Sequence, residues 1–351
     1  NSTARTKMVS IPSPLQGKIA RFLIASCGKE NAMRRRLFSP LQLGDTIGLV
    51  APASPVYEPE RRDAAVHLLE EMGFLVRRGI SVDTIGVTCA ETDSLRAHDL
   101  MNMFLDNHVR AVVCLRGGWG SIRLLPLLDY AAIARHPKPL VGFSDITALH
   151  TVLHNQCGFV TVHGPMPGAM EPIGLRDPAS RAQWLNTLTG CIPRAMRNPN
   201  GTPFHAHGSQ SVCGTLVGGN LSVLVALIGT PWEPCWDGAL LLLEDVSERF
   251  DRLDSMFMQL KQHGVFDRIN GLVLGDFSRY AGAANMQTPT LQNLITPYLP
   301  PLLPILWNVH AGHGRDRITL LLGAKYRLNP QSASLSLTEY PFRKRQTLTD
   351  Q

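Results

Sequence analysis

Four short segments of the chain carry residue types that could do chemistry together. In Gly142-Phe143-Ser144-Asp145-Ile146-Thr147 a glycine stands two residues before a serine, where an apolar run gives way to a helical pattern. That is the local chemistry of a nucleophile elbow, in which a tight turn lifts Oγ out of a sheet and aims the next backbone N–H at the reacting group. Ile146 replaces the last glycine of Gly-x-Ser-x-Gly, and Ser144 taken alone reads equally as a helix N-cap. Arg116-Gly117-Gly118-Trp119-Gly120-Ser121 has three glycines in four positions. Such a loop lets the backbone close on a bound group and offers N–H donors for an oxyanion or anion, with Arg116 and Trp119 available to a charged or extended substrate. A plain turn is the competing reading. Glu244 follows the apolar run Leu241-Leu242-Leu243, so its carboxyl is expected at a strand end, partly desolvated and in need of a partner. His313 lies between Gly312 and Gly314 in a loop, and an imidazole is the usual general base near neutral pH.

Other chemistries lack their patterns. The glycine loop fits neither Gly-x-Gly-x-x-Gly nor the phosphate loop Gly-x-x-x-x-Gly-Lys-Ser/Thr. His150 and His154 are four apart on a predicted helix, but no Glu follows the first, so they read as a helix-face pair and no metal or other cofactor is expected.

The elements that must hold these segments follow from periodicity. Thr46 to Ala51, Arg110 to Leu115 and Leu140 to Phe143 are short apolar runs that read as buried strands, with helical patterns over Glu58 to Met72 and Thr147 to Gln156. Strand and helix alternating at this spacing predict a parallel sheet covered on both faces, with ligands at the carboxyl ends of the strands. Pro193, Pro199, Gly201, Pro203 and Gly208 interrupt the pattern and mark 191–212 as a linker between a domain over 39–190 and another over 213–345. The second is expected to hold helices over Asn220 to Ile228 and Arg252 to His263 and strands over Ala239 to Asp245 and Leu272 to Asp276. The stripe Leu253, Met256, Phe257 and Leu260 reads as core.

Composition narrows the function classes. Residues 1–40 carry eight of the 34 Lys and Arg against one of the 28 acids, so the net charge of +6 belongs to a tail and the body is near neutral. No basic face for tracking nucleic acid is expected. Residues 1–38 read as a tail outside the fold, with Asn31-Ala32-Met33 resembling a cloning junction before a native start. No apolar stretch is long enough to cross a bilayer, so no membrane partner is expected. Seven scattered cysteines without a Cys-x-x-Cys pair suit a reducing compartment, and cytoplasm is the expected location.

Together with Gly214-Thr215-Leu216-Val217-Gly218-Gly219-Asn220-Leu221, Leu227-Ile228-Gly229-Thr230-Pro231-Trp232 and His163-Gly164-Pro165-Met166, these segments resemble the LD-carboxypeptidases of serine peptidase family S66 over about residues 41–335. The resemblance implies an α/β fold, with an N-terminal parallel-sheet, flavodoxin-like domain and a smaller C-terminal β-rich domain. It implies Ser144 as nucleophile, His313 as general base and Glu244 as the acid orienting it, with an oxyanion between the N–H groups of Asp145 and Gly118. It further implies a homodimer that removes the terminal D-alanine from a murein tetrapeptide, a small muropeptide substrate, with no metal. Two rivals remain: an immunity hydrolase of the microcin C type, which uses the same triad beside a nucleotide-like group, and a muropeptide-binding module without turnover. A glutaminase-type amidotransferase would need Cys at the nucleophile turn, where Ser144 stands.

Overall fold

The computed structural model describes residues 37–86, 89–168, 174–278, 290–340 and 342, so all but two residues of the expected tail lie outside the described residues. The first half of the chain builds β1 (Thr46–Val50), β2 (Leu75–Arg78), β3 (Val109–Cys114), β4 (Leu140–Gly142) and β5 (Thr161–His163). These pair in parallel in the order 2-1-3-4-5, the flavodoxin-like arrangement. The principal helices between them are α1 (Pro59–Glu71), α2 (Cys89–Leu105) and α3 (Thr147–Cys157). Local sequence sets their limits: Pro59 supplies the first turn of α1, and α3 stops where Gly158 takes a left-handed φ of 68°. β3 and β4 are buried along almost their whole length, as strands covered on both faces must be.

After α4 (Pro178–Leu188) the chain continues through β6 (His205–His207), β7 (Val212–Asn220), α5 (Leu221–Leu227), β8 (Leu240–Val246), α6 (Phe250–Gln262), β9 (Gly271–Ser278), β10 (Ile305–Trp307), β11 (Leu320–Leu322), β12 (Lys325–Asn329) and β13 (Ser334–Leu337). Seven of these strands form a second sheet in the order 13-12-7-8-9-10-6, with β7, β8, β9 and β10 parallel and the outer strands antiparallel. The stripe Leu253, Met256, Phe257 and Leu260 of α6 is buried beneath this sheet with Leu241, Leu243 and Leu274.

The two sheets do not divide the chain into continuous halves. β11 leaves the second sheet to pair antiparallel with β5 at the edge of the first, and β6, within the expected linker, pairs with β10. Apolar side chains of both sheets, among them Ile47, Leu49, Val113, Leu216, Leu242 and Val273, pack into one core. A rigid junction of this kind is what a site assembled from both sheets requires.

Candidate active site

The carboxyl ends of β3, β4, β7 and β8 converge with the loop after β10, and the four predicted segments meet there. β4 ends at Gly142, and the chain turns sharply so that Ser144 adopts φ 65°. A non-glycine residue in the left-handed region is strained, by about 1–3 kcal/mol, and tertiary contacts must hold it. Ser144 does not cap a helix: neither the short 3-10 turn it opens nor α3 has a side-chain cap. Its Oγ instead lies 3.1 Å from Nε2 of His313. His313 Nδ1 lies 2.8 Å from Oε2 of Glu244. Glu244 is on β8 and is fully buried, so the competing expectation of a solvated strand end does not apply.

Burial pushes the Glu244 carboxyl above the usual carboxylate range, and the positive charge and hydrogen bond of His313 pull against it. Oε1 finds no hydrogen-bond partner among the described residues, so His313 is the chief compensation for this buried group. With Glu244 accepting from Nδ1–H, the lone pair of His313 sits on Nε2, facing the Ser144 hydroxyl. The Phe143 and His313 ring centres lie 4.9 Å apart, and the guanidinium of buried Arg317 sits over the Phe143 ring, 4.9 Å from its centre. Arg317 also donates from Nε to Gly314 O at 3.0 Å, fixing the loop that carries His313.

The glycine loop lies against the serine. A Cβ at Gly117 would stand 2.9 Å from Ser144 Cβ and 3.0 Å from its Oγ, so only glycine lets this backbone approach Ser144 so closely. Gly118 faces Ser54 instead, whose Oγ accepts the Trp119 N–H at 3.0 Å. Asp145, the residue after the serine, is buried, and its carboxylate accepts the Ser121 N–H at 2.8 Å, while Ser121 Oγ donates to Asp145 O. The Ser144 turn and the glycine loop are thereby one hydrogen-bonded unit. Burial raises the Asp145 carboxyl, with the Ser121 bonds opposing. Arg116 is half-buried and folds back on the loop, donating to Gly117 O at 3.2 Å, and Trp119 projects into solvent with 59% of its surface exposed.

Several contributors carried no signal in the sequence. Thr147, the first residue of α3, accepts the Asn220 N–H through Oγ1 at 2.9 Å, which ties α3 to the end of β7 beside Glu244. Asn220 caps α5 through Val223 N and donates to Asp245 Oδ1 at 3.1 Å. Asp276 on β9 accepts the Gly314 N–H at 3.1 Å, and burial raises its carboxyl to about 6. Only the fold brings these positions together, although Thr147 and Asn220 stand at the predicted ends of their helices. His150 is buried, its Nε2 2.9 Å from Gly142 O, and His154 Nδ1 lies 3.3 Å from Phe159 O. Both therefore serve the backbone around α3.

Known proteins are similar to this chain in sequence and fold. Residues 47–164 match the model of the LD-carboxypeptidase N-terminal domain and residues 213–328 that of the LD-carboxypeptidase C-terminal domain. A probable murein peptide carboxypeptidase of Bacillus subtilis is 34% identical over 82% of this chain and 90% of its own length. The murein tetrapeptide carboxypeptidase of Pseudomonas aeruginosa is 30% identical over 76% of this chain and 88% of its own. Among solved structures, a muramoyltetrapeptide carboxypeptidase from Oxalobacter formigenes superposes with a TM-score of 0.71 at 27% identity, covering 84% of this chain and 99% of that one. The microcin C7 self-immunity protein MccF superposes with a TM-score of 0.77 at 26% identity, covering 88% of this chain and all of that one.

Proposed function

The chain belongs to the LD-carboxypeptidase family, serine peptidase family S66, and from that premise we propose that it is a serine carboxypeptidase that releases the terminal D-alanine from murein tetrapeptides. The observation that carries the reading is the line from strained Ser144 through His313 to buried Glu244, at 3.1 and 2.8 Å.

In this reading Ser144 Oγ attacks the carbonyl carbon of the bond between the L-centred third residue, lysine or diaminopimelate, and D-alanine, and its proton passes to His313 Nε2. The tetrahedral oxyanion faces the Asp145 N–H and the N–H of Gly118. The Gly118 N–H belongs to the peptide unit that follows Gly117, and the close approach of Gly117 to Ser144 supports this choice of donor. The intermediate collapses as His313 gives its proton to the departing amine of D-alanine, leaving an acyl ester on Ser144. Water then attacks the ester with His313 as base, and the tripeptide leaves with Ser144 restored. Glu244 holds the His313 ring and tautomer and balances the imidazolium while it exists. Arg116 and Trp119 line the approach and are the proposed contacts for the peptide.

The 26% identity and TM-score of 0.77 to MccF favour one second reading, hydrolysis of an amide beside a nucleotide-like group. Offering the protein L-Ala-D-Glu-diaminopimelate-D-Ala and an aminoacyl sulfamoyl adenosine in parallel separates the two: D-alanine release at least a hundredfold faster than cleavage of the nucleoside compound supports the carboxypeptidase, and the reverse order replaces it. Tight tetrapeptide binding with no release of D-alanine would leave a binding module. The scattered cysteines and the family resemblance support a cytoplasmic, homodimeric enzyme, and among the described residues no helix is long and apolar enough to cross a membrane.

A further inference from the structure

The strands that present Ser144 and the glycine loop at their carboxyl ends have a cavity at their opposite ends. It measures about 190 Å³ and opens where β3 and β4 begin, with Phe38 and Val109 on its apolar side and Arg110, Arg135, His136 and Lys138 on its polar side. Among the described residues, none of those lining it carries a carboxylate. Lys138 is only 7% exposed, and its ammonium donates to Met103 O at 3.2 Å and Asp106 O at 2.6 Å, which uses two of its three N–H donors. Asp106 turns its own carboxylate away, toward Arg77 and the His108 N–H. Among the described residues neither Arg110 nor Arg135 has an acidic partner, whereas Arg78, Arg96 and Arg268 each pair with an aspartate.

Two guanidiniums without an acidic partner, a buried ammonium and an imidazole around one small cavity gather basic groups with no counterion among the described residues. Burying an ammonium costs free energy unless an opposite charge stands near it, and the strain is visible in Lys138, whose basicity burial lowers to about 8. A volume of about 190 Å³ admits a compact anion and falls below the cavities that enclose whole drug-sized ligands. Guanidinium forks match tetrahedral oxygen pairs, and a phosphate group carries close to two negative charges at neutral pH. We propose that this cavity is a binding site for a phosphate group, separate from the candidate catalytic cleft. Lys138 lies two residues before β4 and Ser144 two residues after it, so β4 separates the two sites, by at most about 20 Å for a fully extended chain of that length.

Titration calorimetry of the full chain with inorganic phosphate at 0.15 M NaCl tests the proposal. One phosphate should bind saturably per chain, unchanged in Ser144→Ala and at least tenfold weaker in the double variant Arg110→Ser, Arg135→Ser. Both arginines are exposed, so this variant folds; Lys138→Met, expected to abolish binding, is the buried counterpart, and circular dichroism checks its fold. Adenosine monophosphate distinguishes the source: binding lost in the same double variant identifies a phosphomonoester as occupant, and exclusion identifies the free anion, either result supporting the site. Absence of saturable phosphate binding, or binding that the arginine substitutions leave intact, overturns it.

Discussion

Replacing Glu244 by Gln should make the protein more stable and far less active. The carboxyl is fully buried, Oε1 has no partner among the described residues, and burial raises its protonation range above the ordinary 4.5. A carboxyl that titrates higher in the native than in the unfolded chain takes up a proton on folding, so stability falls as pH rises from about 4.5 through the native titration. At neutral pH each pH unit of that difference costs about 1.4 kcal/mol. A neutral amide of the same shape escapes this penalty, so Glu244→Gln should be more stable than the parent at pH 7, and the gain should vanish below pH 4. Activity should move the other way. A Gln amide can donate to Nδ1 of His313, placing the ring proton on Nε2, where it can no longer accept from Ser144 at 3.1 Å. The wrong tautomer and the lost charge balance together cost about 10³–10⁴ in kcat, about 4–5.5 kcal/mol, by analogy with the loss of the acid in other serine triads. The assays are urea unfolding at pH 4, 5, 6 and 7 and steady-state D-alanine release. A variant within tenfold of the parent kcat, or one destabilised at pH 7 by more than 1 kcal/mol, would refute this account of Glu244.

Three further perturbations probe the surrounding supports. Gly117→Ala puts a methyl 2.9 Å from Ser144 Cβ, and because a misplacement of about 1 Å can cost about 10² in rate, kcat should fall by that order with little change in unfolding midpoint. Thr147→Val keeps the shape but removes the acceptor of the Asn220 N–H, a buried donor left unpaired at about 1–3 kcal/mol; urea unfolding should show that loss, and kcat should fall as the nucleophile helix loosens from β7. Asp276 titrates near 6 instead of 3.8, so its native state binds a proton between about pH 4 and 6 and stability falls as pH rises through that window, by up to about 3 kcal/mol. Asp276→Asn should flatten that part of the stability profile while still accepting the Gly314 N–H, and an unchanged slope would show that Asp276 does not titrate there.

Much of this site was legible in the sequence because each principal element announces itself locally. The apolar runs at Thr46, Arg110 and Leu140 became β1, β3 and β4 to within a residue or two, and the helical period from Thr147 became α3. A serine at a strand end, an acid after a run of leucines and a histidine between glycines are likewise local patterns, and the structure brings all three together. What escaped was non-local. β11 has three leucines and no period, so nothing in it tells that it leaves the second sheet to pair with β5. β6 is equally short and sat inside a stretch that reads as linker. Ser54 beneath the glycine loop, Thr147 against Asn220 and Asp276 under Gly314 act through partners 65, 73 and 38 residues away, which no window of sequence contains. The glycine loop divides the same way. Its three glycines are visible, but that Gly117 faces Ser144 while Gly118 faces Ser54 follows from the turn of the backbone.

The most direct test of the central claim is chiral quantification of alanine released from L-Ala-D-Glu-diaminopimelate-D-Ala by the intact protein and by Ser144→Ala. The account predicts one D-alanine and one tripeptide per tetrapeptide from the intact protein, and release slower by at least 10³ from the variant. Equal release by both proteins, or none from the folded parent, would contradict it.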